Sequence, residues 1–128
     1  MSYTHRFEIT ERKHHETDLL LAAIEENKRK FVLTGDFNAP PRSYTVDSIA
    51  QKLTSFGPPM IEPTWTTKPF SYNGFEETEL SWRLDHIFGT SDLDIIESRV
   101  IDTKYSDHLP ILVRVGLNGS TKRCITPQ

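Results

Sequence analysis

The chain has a single cysteine, Cys124, near its C-terminal end. One thiol cannot close an internal bridge, so no disulfide holds this fold, and a reducing, cytoplasmic setting is the expectation. Long apolar runs are also missing. The apolar stretches last only a few residues, so nothing is built to span a membrane, and the opening MSYTHRFEIT has no apolar signal core. There is no basic excess: 15 Lys and Arg stand against 18 Asp and Glu, a net charge of −3. That excludes non-specific coating of nucleic acid by an overall positive field, though not an enzyme with a local basic rim. Repeats and low-complexity tracts are absent too. What remains is a chain of 128 residues, 36% hydrophobic and 26% charged, which is the composition of one folded domain with a core of its own.

Residues 14 to 29, HHETDLLLAAIEENKR, read as a helix, with Leu20, Ala23 and Ile24 at helical spacing and Leu21 broadening the stripe. FVLT at 31 to 34 is a short buried strand. Gly35 to Pro41 is a loop, because Pro40 and Pro41 stop either element. Ser43 can cap a second helix carrying Val46, Ile49, Ala50 and Leu53 on one face. FGPPMIEP is a connector in which MI is a candidate short strand, and 63 to 81 reads as loop. Strands are expected at 83 to 89, 93 to 101 and 110 to 117, and the tail from 118 to 128 is expected to fray. This order gives an α/β fold, a mixed β-sheet with helices on one face. Ile111, Val113 and Val115 then point to a second apolar sheet face that the two helices do not cover.

Compact polar groups gather where three apolar segments begin or end: Asp36 and Asn38 after FVLT, Asp85 inside RLDHIF, and Ser106-Asp107-His108 before LPILV. Strand ends and their loops are where sites are built in α/β sheets. Asp36 and Asn38 can each serve only to close a turn. They can also orient or deprotonate a water and donate to a phosphate oxygen. Asp85 lies between Leu84 and Ile87, where an unpaired buried charge costs several kcal/mol. His86 is a poor partner for it, since adjacent strand residues point to opposite faces, and is read as structural or exposed. His108 is the better partner, because a carboxylate on one ring nitrogen fixes the tautomer and raises the basicity of the other. Asp107 can hold a hard cation through oxygen. His5, His14 and His15 read as solvated, and Trp65 and Trp82 as core or as stacking surfaces. A transition metal on Asp85, His86 and His108 is disfavoured by the opposed faces of residues 85 and 86.

Taken together, VLTGDFNAPP, SWRLDHIFG and YSDHLPILV resemble the three C-terminal motifs of the endonuclease/exonuclease/phosphatase family. That family has a DNase I-like fold and includes apurinic endonucleases, inositol-phosphate phosphatases, sphingomyelinases and deadenylases. The resemblance covers about residues 14 to 115. It implies a metal-dependent phosphoester hydrolase (phosphodiesterase, nuclease or phosphatase) using Mg²⁺, with Mn²⁺ as the alternative ion. In it Asp36 would orient or deprotonate the attacking water, and Asn38 would donate to the scissile phosphate. Asp85 would hold His108 against the phosphate, and Asp107 would hold the metal directly or through water.

The same resemblance implies that residues 1–117 form the C-terminal half of such a domain, half of a four-layer α/β sandwich, with 118–128 as a polar tail. The family's early Asn and Glu metal ligands find no replacement, since Glu8, Glu11 and Glu16 lie in the leader and first helix. The isolated chain is therefore expected to be slow or inactive, and its open sheet face to be covered by a second copy or by a complementing N-terminal half. The alternative is a non-catalytic remnant that dimerises or binds a phosphate-bearing ligand. Residues 63 to 77 are the expected reading surface, offering Trp65 and Lys68 to a nucleic acid, a phospholipid headgroup or an inositol phosphate.

Overall fold

In a computed structural model the described residues are 3–117, with side chains described from residue 11. The polar tail 118–128 with Cys124, and the side chains of His5 and Glu8, lie outside the described residues. Helix α1 spans Tyr3–Glu26, longer at its start than the apolar stripe suggests. Residues 1 to 30 hold no Gly or Pro to interrupt it. It ends before the expected residue 29 because the Asn27 side chain accepts the Arg29 N–H at 3.0 Å and turns the chain away.

Strand β1, Val32–Asp36, runs two residues past the expected end, so that Asp36 is a strand residue. Helix α2, Tyr44–Ala50, starts where Ser43 accepts the Val46 N–H, and it buries Thr45, Val46 and Ile49. Strand β2 is the pair Thr54–Ser55. The Met60-Ile61 candidate strand does not form. Pro59 O takes the Glu62 N–H in a turn, and Ile61 is left 88% exposed.

The expected loop from 63 to 81 contains a hairpin, β3 at Phe70–Tyr72 and β4 at Phe75–Glu77. Its two-residue turn, Asn73-Gly74, sits at positive φ at both positions (48° and 83°), a conformation that Asn and Gly adopt most readily. Strands β5 (Asp85–Gly89), β6 (Asp94–Val100) and β7 (Ile111–Gly116) follow. All the pairings are antiparallel, and they fall into three small sheets, β1-β5-β2, β3-β4 and β6-β7. With two helices, this is a mixed α/β architecture consistent with a partial DNase I-like fold.

The core lies between the helices and one face of the first sheet. Ile24 of α1 meets Val46 and Ile49 of α2, Leu53, and Phe88 of β5, while Leu20, Leu21 and Leu33 close the edges. The hydroxyls of Thr17 and Thr45, 2.7 Å apart, link the helices. The pairing of β1 with β5 is in register, Leu33 with Phe88 and Gly35 with His86, so these face the helices. Val32, Thr34 and Asp36 pair with Gly89, Ile87 and Asp85 on the opposite face. No helix among the described residues is long and apolar enough to cross a membrane.

Candidate active site

The register of β1 and β5 sets Asp36 directly across from Asp85 on the face away from the helices. The chain then returns at 107–109, and His108 enters between the two carboxylates. Its Nδ1–H donates to Asp85 Oδ2 at 2.7 Å, and its Nε2 lies 3.6 Å from Asp36 Oδ2. The first contact is a charge-assisted hydrogen bond. The second is too long for one and leaves both groups open to a third atom. Burial works against the charged imidazole, but the Asp85 hydrogen bond and charge, with the charges of Asp36 and Asp107, raise the His108 pKa above the ordinary histidine value. The side chain of Asp36 is 49% exposed, that of His108 27% and that of Asp85 20%, so the cluster is an open rim with Asp85 at its back.

Asp36 combines the two uses open to it. Its Oδ1 accepts the Asn38 N–H at 2.9 Å, closing a turn, while Oδ2 faces His108. Asn38 itself has φ of 49°, a left-handed conformation that Asn tolerates. Lys13 reaches across from α1 and donates to the carbonyls of Phe37 and, at 2.6 Å, Asn38. Burial lowers the Lys13 pKa, with the charges of Asp36 and Glu16 opposing it. Asn38 is exposed, and among the described residues no bond ties its side-chain amide to the side chains of Asp36, Asp85 or His108.

His86 takes the other face and is buried, not exposed. Its Nε2–H donates to Ala39 O at 2.8 Å, and its ring stacks between Phe37 and Phe88. A metal on Asp85, His86 and His108 is thereby set aside. The group that does converge is Asp36, Asp85 and His108, with one ligand atom of each within 4.8 Å of the others. Asp107 is exposed and outside this group. Its Oδ2 accepts the Trp65 indole N–H at 3.3 Å.

Trp65 is 9% exposed and packs edge-on against Phe70, so most of its ring is core. Lys68 is exposed. It lines an open groove of about 470 Å³ beside Asp107, with Phe70, Tyr105 and Ser106. That volume is in the range of small-molecule sites. Three residues that support the site carry no sequence signal of their own. Lys13 looks like a solvated helix lysine, while Thr64 and Arg83 look like loop and strand-edge residues. In the structure Thr64 is 0% and Arg83 3% exposed.

The family model described as the Endonuclease/Exonuclease/phosphatase family matches residues 2–108 of the chain. No curated protein and no solved structure matches it.

Proposed function

The chain belongs to the endonuclease/exonuclease/phosphatase family, and we propose on that premise that its site is that of a metal-dependent phosphoester hydrolase. The observation that carries the reading is the placement of two carboxylates on opposite ring nitrogens of His108, gathered from three segments far apart in sequence. In this mechanism Asp36, its rotation restrained by the Asn38 N–H, orients the attacking water and takes up its proton. The Asn38 amide donates to a phosphate oxygen. His108, kept in one tautomer by Asp85 and more often protonated than an ordinary histidine, offers Nε2–H to the negative charge that grows on the phosphate.

The donor set suits a divalent cation in part. Asp85 Oδ2 is taken by the imidazole, but Asp36 has an oxygen turned to the rim and Asp107 has the oxygen that Trp65 does not bond. Mg²⁺, or Mn²⁺ in its place, would rest on these oxygens and supply charge neutralisation at the phosphate. Lys68, in the groove whose Phe70 packs on Trp65, is proposed to meet the rest of the substrate, whether nucleic acid, phospholipid headgroup or inositol phosphate. Residues 1–117 are read as half of a family domain, acting in the cytoplasm, slow alone and completed by a second copy or an N-terminal half.

The half-exposed Asp36 favours a second reading, a module that binds a phosphate-bearing ligand without turnover, because an open site holds water against the chemistry. Hydrolysis of bis-p-nitrophenyl phosphate with Mg²⁺ or Mn²⁺ separates the two. The hydrolase reading expects turnover that falls by about 10²–10⁴ in Asp36→Ala and in His108→Ala. Turnover surviving both changes overturns the site. Wild-type binding of inorganic phosphate with no turnover favours the non-catalytic module.

A further inference from the structure

Asp85 is held by side chains where a sheet would ordinarily hold it by a strand. The Phe37 N–H donates to Leu84 O at 3.0 Å, flanking the last pair of the register, which makes 36 and 85 a non-bonded pair. The N–H and C=O of Asp85 therefore point away from β1, toward the side of β2. The Phe56 N–H, donating to Ile87 O at 2.8 Å, confirms that phase, and the β2 register stops at Ser55 opposite Phe88. Among the described residues no strand reaches as far as Asp85 on that side. Thr64 and Arg83 do. Thr64 Oγ1 accepts the N–H of Asp85 at 3.2 Å and of Leu84 at 3.1 Å, and Arg83 Nε donates to Asp85 O at 2.8 Å. Arg83 is anchored in turn on the carbonyls of Pro58, Pro59 and Glu62.

Thr64 also holds the other partner. Its carbonyl accepts the N–H of Leu109, next to His108, at 2.8 Å, and its own N–H donates to Trp82 O at 2.8 Å. Three residues on, the Thr67 N–H donates to Asp107 O at 3.0 Å. One fully buried residue thus ties the segment that carries Asp85 to the segment that carries His108. We propose that Thr64, with Arg83, is a positioning residue of the site: its hydroxyl fixes the backbone of Asp85 so that the carboxylate meets the His108 ring. This deepens the hydrolase reading and rests on it.

The test uses the metal-free chain and reads the dyad itself, without turnover. A His108 Nδ1–H bonded to Asp85 gives a downfield imidazole proton resonance, assigned by its loss in His108→Gln and Asp85→Asn. Thr64→Val keeps the volume and removes the acceptor, and the resonance is expected to be lost or shifted upfield while the far-ultraviolet circular dichroism is kept. Thr64→Ser restores the oxygen and is expected to restore the resonance. A resonance unmoved in folded Thr64→Val overturns the role of Thr64 and leaves the dyad standing. A wild-type spectrum without the resonance overturns the dyad and the hydrolase reading with it. Should Thr64→Val fail to fold, hydrogen exchange of the wild-type Leu84 and Asp85 amides decides. Protection equal to that of His86 is expected, and exchange at the rate of unbonded amides overturns the proposal.

Discussion

His108 and His86 respond to protons in opposite directions. Burial, seconded by the Arg83 charge, lowers the pKa of His86 against the pull of its Ala39 bond and of Asp85. Its folded value lies below the unfolded one near 6.5, so the unfolded chain binds the extra proton. The stability tied to neutral His86 is complete above about pH 6.5 and is lost as the pH falls through that value. For His108 the folded value is raised, so its contribution is present below the unfolded value and is lost as the pH rises through the folded one. Urea midpoints measured from about pH 7 down to about pH 5 should therefore carry both effects in the wild type, in opposite senses. They should fall less in His86→Phe, which keeps the stacking with Phe37 and Phe88 without a charge to gain. In His108→Gln the decline should steepen. An equal slope in His86→Phe would mean that His86 does not carry the acid limb. The need of Asp85 for a partner was legible in the sequence, since a carboxylate between Leu84 and Ile87 has to be paired. The work of Thr64 was not, because it depends on the hydrogen-bonding phase of β5, and that phase is set by β1, whose Asp36 lies far back in the sequence from Asp85.

At the level of elements, short-range signals were readable and long-range pairings were not. Ser43 capping α2, and Val46 and Ile49 inside it, follow from local spacing, and the structure has both. The β3-β4 hairpin carried its own signal in Asn73-Gly74 but lay in a polar stretch with no alternation to frame it. The division into three sheets could not be read, because antiparallel partners such as β1 and β5 are chosen by tertiary packing. Gly89 shows how tight that packing is. A Cβ there would fall 2.3 Å from the ring of Phe56, which is itself 1% exposed and has no room to swing. Gly89→Ala should then destabilise by about 1–3 kcal/mol, the usual range for overpacking. Chemical denaturation measures this, and a change within experimental error would show that the β2-β5 junction yields.

The whole molecule has one face packed against helices and another that the described residues cover only in part. The β6-β7 hairpin is amphipathic. On one side Glu97 pairs with Arg99 at 2.9 Å and with Arg114 at 3.4 Å, as befits a solvated surface. On the other, Ile95 faces Val115, Ser98 faces Val113 and Val100 faces Ile111, all half-buried or exposed, with Ile96 added at the bulge. Val32, 41% exposed, extends the apolar character on β1. Exposed apolar surface is uncommon on a monomer in patches beyond a few hundred Å². A second copy could bury it about a two-fold axis, since each chain offers the same face. Sedimentation at micromolar concentration should accordingly give twice the 14.8 kDa chain mass. Val113→Glu, which puts a charge on the apolar side and leaves the Glu97 pairs intact, should return the mass to that of one chain without loss of circular dichroism. A wild type that sediments as one chain removes the second copy as occupant. A dimer untouched by Val113→Glu moves the interface elsewhere, and in either case the apolar side of the hairpin is left for a different chain to cover.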